Sequence, residues 1–259
     1  MREIAIVPLQ EFEVPLEAEN IRPDLFATLS LEEIRDLEVW EGNRRRVLSD
    51  LFSVAGNDGA GECLIRLDGD FSRVKRIGEG MREGEILVRG DVGMRAGSGM
   101  HGGSMQIEGD AGDWLGREMR GGSISVKGNA GNYVGSRYWG EICGMRGGEI
   151  KIEGSAGAYL GDHICGGRIV VKGDAGDFPG ASNRGGAITI GGDAHLPGAE
   201  MVSGAIVVKG RARVLPSYGF QETAEIEGKL LWKFVGDLVE KGKGELYVAL
   251  VEDDGQLDK

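Results

Sequence analysis

One phrase recurs seven times along the chain: two small residues, alternating apolar and polar residues, then glycine, a short polar residue, a small residue and more glycine. The clearest copies occupy 103–116, 122–135, 148–161, 167–180 and 186–198, with looser copies starting at Gly84 and Gly204. Successive copies start 19, 19, 26, 19, 19 and 18 residues apart. A fixed period of this size marks a solenoid in which each repeat is one coil stacked on the last.

Aligned on the second small residue, each copy places Ile86, Met105, Ile124, Ile150, Ile169, Ile188 or Ile206 two positions on. Four positions on stand Val88, Ile107, Val126, Ile152, Val171, Ile190 and Val208, and the residues between vary freely. Strict alternation of this kind is a short strand with one buried face. The β-branched residues favour strand over helix. Each buried Ile or Val contributes about 1.5–3 kcal/mol, which offsets the entropy of ordering so many glycines.

Six positions on, every copy has a glycine: Gly90, Gly109, Gly128, Gly154, Gly173, Gly192 and Gly210. A coil that closes in so few residues needs sharp corners, and these glycines are expected to serve them. The pattern predicts an all-β fold, a right-handed parallel β-helix of about seven 19-residue coils. Residues 1–60 and 214–259 break the pattern and are expected to form an N-terminal and a C-terminal cap around the repeats at 61–213. Within the first cap, Ile4-Ala5-Ile6-Val7 reads as a strand, and Ser30 with Glu33 reads as the capped start of a helix.

Composition narrows the function. A formal charge of −12 argues against nucleic acid as a partner. No run of 18 apolar residues is present, the N-terminus lacks the form of a signal peptide, and the expectation is a cytoplasmic chain with no membrane partner. Cys63, Cys143 and Cys165 form no CxxC and cannot all pair, which suits a reducing compartment. The three histidines fall in different coils without metal-ligand spacing, and turn residues are a better reading of His163 and Cys165, with Cys143 in the preceding coil, than a metal site. The polar column Asp91, Asp110, Asn129, Ser155, Asp174 and Asp193 does not fit the nine-residue period of a calcium β-roll and is expected to bond neighbouring turn backbone. No catalytic, cofactor-binding or metal-binding set emerges.

Two features stand out as candidate interfaces. Met81, Met100, Met119, Met145 and Met201 share a column that fills an inner corner. Ile164 and Asn183 occupy the same column, and among the residues immediately after it Arg82, His101, Arg120, Arg146 and Arg184 would face outward as a basic row. Such a row is either solvated or a docking edge for an acidic partner or a polyanionic tail. The second feature is the 26-residue interval, whose extra residues, about 137–143, carry Tyr138 and Trp139 off the rod. That loop is either a packing flap or an insertion between subunits.

Several stretches resemble the C subunit of formylmethanofuran dehydrogenase. They are Pro15-Leu16-Glu17-Ala18-Glu19, Ile21-Arg22-Pro23-Asp24, residues 48–54, the glycine repeats with Gly144-Met145-Arg146-Gly147-Gly148, and the tail from Phe234 to Tyr247. The repeats alone are also similar to the C-terminal domain of glutamate synthase large subunits. The resemblance implies a non-catalytic scaffold in the archaeal complex that reduces CO2 onto methanofuran in the first step of methanogenesis. In that family the cofactors sit on other subunits: a tungsten or molybdenum pterin, a two-metal amidohydrolase-like site and iron–sulfur clusters. That the basic row faces the glutamate-rich tail of methanofuran is a separate expectation, which the family does not supply. Two alternatives are the C subunit of the bacterial formyltransferase/hydrolase complex and a free-standing β-helix enzyme or binding protein.

Overall fold

The computed structural model describes residues 2–57, 59 and 61–252. The outer limits of the expected caps at 1, 60 and 259 fall outside them.

Up to the first repeat the chain forms β1 (Arg2–Pro8), β2 (Leu16–Glu17), α1 (Pro23–Phe26), α2 (Leu31–Arg35), β3 (Glu38–Glu41), β4 (Arg44–Val47), α3 (Leu48–Leu51), β5 (Phe52–Gly56), β6 (Cys63–Asp68) and β7 (Val74–Lys75). The repeats supply β8 (Glu85–Arg89), β9 (Ser104–Ile107), β10 (Ser123–Val126), β11 (Glu149–Ile152), β12 (Arg168–Val171), β13 (Ala175–Asp177), β14 (Arg184–Ile190), β15 (Ala194–His195) and β16 (Ser203–Arg213). The C-terminal part adds β17 (Gly219–Ile226), β18 (Lys229–Gly236) and β19 (Gly244–Val251). The protein is mainly β. The expected helix start holds: Ser30 Oγ accepts the Glu33 N–H at 3.2 Å while Glu33 accepts the Ser30 N–H at 2.7 Å.

The repeat strands pair in parallel with their alternating apolar residues in register. Ile86 lies beside Met105, Met105 beside Ile124, and the row continues through Ile150, Ile169, Ile188 and Ile206. The residues at these positions and in the Val88–Val208 row are buried. The sheet also runs into both flanks. β1 and β6 place Ile4 and Ile65 in the Ile86 row, and β19 adds Leu246 beyond Ile206. Sequence pattern alone did not give β1 and β19 these places, because each joins the sheet across a long, irregular connection.

Other faces of the repeats are stitched as well. Small residues in the column Val92, Ala111, Ala130, Ala156 and Ala175 form single parallel bridges from one repeat to the next. A further buried row, Ile77, Ala96, Leu115, Val134 and Leu160, fills the interior beside the buried methionines. The expected polar column does bond neighbouring turn backbone, each side chain accepting the N–H of its counterpart one repeat on. Close stacking explains glycine at Gly128: a Cβ there would lie 2.7 Å from the Gly109 carbonyl oxygen. A small antiparallel sheet, β3 with β2 and β4, joins the segment just before the first repeat through the parallel pairing of β2 with β7.

Candidate functional site

The regular repeats leave little chemistry on their surface, so the insertion is the place to start. In an ordinary repeat the corner glycine and the buried methionine are three residues apart, as with Gly116 and Met119, joined by a hydrogen bond from the Met119 N–H to the Gly116 carbonyl. Here the Met145 N–H bonds the Gly135 carbonyl at 2.8 Å. The repeat therefore closes as usual, and ten residues minus three leaves seven looped out. Those are the residues around Arg137–Cys143 that the interval predicts.

The loop is held on both sides. Toward the preceding repeats, the Tyr138 N–H donates to Glu118 Oε1 at 2.8 Å, and the Arg117 guanidinium lies 4.7 Å from the Tyr138 ring centroid. Toward the following repeat, Cys143 is joined to Cys165 by a disulfide, with Cα atoms 5.6 Å apart. The Gly144 N–H bonds the His163 carbonyl at 2.8 Å. This pairing corrects the reading of the cysteines: only Cys63, buried, is a free thiol, and the thiol count no longer argues for a reducing compartment. His163 turns its Nδ1 to Asp162 at 2.8 Å. Held at both flanks, the loop still leaves Trp139 73% and Ile142 69% exposed.

Beside the loop runs a row that the repeat alignment does not single out. Trp114, Tyr133, Tyr159 and Phe178 stand at one place in four consecutive repeats, each eleven residues past Gly103, Gly122, Gly148 or Gly167. Their rings stack with centroids 4.5, 5.2 and 5.5 Å apart. All four residues hold a left-handed backbone, with φ of 65°, 61°, 58° and 56°. That conformation is costly for a side chain with a Cβ. The signal was available as a fixed offset from the repeat glycines, but rings at a corner do not alternate and carry no strand or helix period. Trp114, Tyr133 and Tyr159 line a cleft of about 190 Å³ together with Trp139, Arg137 and Asp162.

The basic row lies on a different corner. Arg82, His101, Arg120, Arg146 and Arg184 are all exposed. The row is kept by backbone bonds of one pattern, such as the Arg120 N–H to the Met100 carbonyl at 2.7 Å and the Arg146 N–H to the Met119 carbonyl at 2.7 Å. Arg146 approaches Glu141 of the loop at 3.9 Å, and among the described residues Arg82, Arg120 and Arg184 make no ion pair. Cys165 interrupts the row, so the disulfide brings the loop to the row's edge. The site thus joins an exposed apolar loop, an aromatic cleft and a row of cations. Such a combination suits recognition, since Trp, Tyr and Arg dominate binding energetics.

Comparison with known proteins adds a lineage to this geometry. No protein-family model matches the chain. A segment of 90 residues is 53% identical to the C subunit of the molybdenum-containing formylmethanofuran dehydrogenase 1 of Methanothermobacter thermautotrophicus. The C subunit of the tungsten-containing enzyme 2 of the same organism is 48% identical over 96 residues. Over about a third of its length the chain is similar to the C subunits of formylmethanofuran dehydrogenases. The matched segments cover 35% and 36% of this chain, and 22% and 36% of those homologues. Across nearly the whole chain, the fold matches a chain in the crystal structure of the formyltransferase/hydrolase complex from Methylorubrum extorquens in complex with methylofuran. That match has a TM-score of 0.87 and 26% identity, covering 94% of this chain and 98% of that one.

The names of the homologues raise the question of a metal. Among the described residues no three His, Cys, Asp or Glu side chains are grouped to hold one. With Cys143 and Cys165 joined, the one remaining thiol is buried Cys63. Burial pushes that thiol above its ordinary pKa, away from the thiolate a cluster needs. The residues present do not fit a metal–pterin or an iron–sulfur group. No helix among the described residues is long and apolar enough to cross a membrane.

Proposed function

We infer that this chain is a structural subunit of a formylmethanofuran dehydrogenase complex, a right-handed parallel β-helix that holds catalytic subunits in place. Such a complex reduces CO2 and attaches it as a formyl group to methanofuran. The observation that carries the reading is the 53% and 48% identity to the C subunits of the molybdenum and the tungsten enzymes. The parallel, in-register stacking of strands at the repeat period supports the β-helix part of it. In this reading the amidohydrolase-like, metal–pterin and iron–sulfur subunits are the partners, and the cytoplasm is the compartment. The chain contributes no catalytic residue. Its docking surfaces are the basic row from Arg82 to Arg184 and the loop with Tyr138 and Trp139, and the caps flank the repeats at 61–213.

A second reading has its own support. The whole-chain match is to a chain of a formyltransferase/hydrolase complex, so this chain could equally serve an assembly of that type. Native affinity purification of the chain from its source, with mass spectrometry and elemental analysis, separates the two. Amidohydrolase-like and metal–pterin subunits with tungsten or molybdenum are expected. Formyltransferase without either metal favours the second reading, and recovery of the chain alone overturns both.

A further inference from the structure

The insertion turns the side of the aromatic row into a half-open cleft. Its volume of about 190 Å³ is lined by Trp114, Tyr133, Tyr159, Trp139, Arg137 and Asp162. Small-molecule sites run to roughly 300–1,000 Å³, so this one is undersized for a free ligand and suited to a single anchoring side chain.

The ring geometry selects what enters. Trp114, Tyr133 and Tyr159 are stacked on one another at interplanar angles of 15° and 6°, so their faces are turned to each other. What the row offers outward is ring edges, the positive side of the aromatic quadrupole. Edges favour the face of an incoming ring and disfavour a cation, which needs a free aromatic face. Arg137 and Asp162, 3.8 Å apart, place a donor and an acceptor at the same cleft for the polar groups beside that ring. The bond from Tyr138 to Glu118 and the disulfide to Cys165 hold the loop in place before anything binds, which lowers the ordering cost of association.

We propose that this cleft is a socket for one aromatic side chain presented by a partner polypeptide. The partner's existence rests on the subunit reading above; the chemistry of the socket does not.

The test uses the purified full-length chain with N-acetyl-phenylalaninamide, N-acetyl-leucinamide and N-acetyl-lysinamide as probes, followed by saturation-transfer NMR. Saturation is expected on the phenylalanine ring, with binding weakened about fivefold in Trp139→Ala, the loss of one aromatic pair. Trp139 is 73% exposed, so its removal does not threaten the fold, and circular dichroism checks this. Equal transfer to the leucine or lysine probe, unchanged binding in the variant, or no transfer at all overturns the socket. Dimerisation with rising concentration that disappears in Trp139→Ala also overturns it, in favour of a second copy as the occupant. A chain that purifies alone yet takes the phenylalanine probe sinks the subunit reading only. A chain that co-purifies with partners but, once isolated, ignores the probe sinks the socket only.

Discussion

The Asp110 carboxylate accepts the backbone N–H of Asn129 at 2.6 Å, and Asn129 holds the place of Asp110 one repeat later. Asn129 in turn accepts from Ser155 at 2.9 Å, Ser155 from Asp174 at 3.1 Å, and Asp174 from Asp193 at 2.8 Å. Each side chain thus satisfies a backbone donor of the next repeat, and the column continues while the residue keeps a short acceptor arm.

Asp110→Ala removes that acceptor and is expected to lower stability by about 1 kcal/mol, whereas Asp110→Asn retains Oδ1 and loses less. Urea denaturation of both variants checks this. Equal losses would show that the charge, and not the acceptor, matters.

Gly128→Ala is expected to be worse than Gly99→Ala. A Cβ at Gly128 meets Asp110 Oδ1 at 2.1 Å and the Gly109 carbonyl oxygen at 2.7 Å, so two repeats must move apart. Gly99 has open space and a φ of 62°, leaving only the left-handed backbone cost of about 1–2 kcal/mol. The melting temperatures of the two variants, measured side by side, decide the order.

Reducing the Cys143–Cys165 bond opens a loop between residues 22 apart in sequence. Chain entropy assigns such a cross-link about 3 kcal/mol. A dithiol reductant should lower the melting temperature of the chain and leave that of Cys143→Ala unchanged. Trypsin should also cut at Arg137 faster once the bond is broken.

Tyr218 gives a pH dependence. Its hydroxyl donates to the Gly198 carbonyl at 2.9 Å, and burial, with a smaller contribution from Asp237, raises its pKa well above the ordinary 10.0. The folded pKa exceeds the unfolded one, so the stabilisation is complete below pH 10.0 and declines as pH rises beyond it. Alkaline unfolding should therefore steepen above that value in the natural chain and less in Tyr218→Phe. Superimposable pH profiles would discard the assignment.

Much of the strand order was legible because Ile124, Ile150 and Ile169 repeat at a fixed offset and alternate with polar neighbours. The acceptor role of Asp110 and the place of the insertion were legible for the same reason: both are defined relative to the repeat. What escaped depends on distance in space. Cys143 and Cys165 fall in neighbouring coils by sequence, but their bond shows only once the repeat closes behind the insertion and brings the two sulfurs together. Ile4 and Leu246 extend the buried row from either side, yet neither sits at the repeat spacing. Tyr133 and Tyr159 carry the aromatic row across the insertion, where 26 residues separate them in place of 19.

The in-register pairing of Ile124 with Ile150 and Ile169 makes the chain a ruler graduated in single repeats. Adding or deleting one unit would shift everything attached at β19 relative to everything attached at β1 by about 4.8 Å, without altering the side chains any remaining repeat buries. The distance between the two ends would then change in whole steps while the surface at each end stayed as it was.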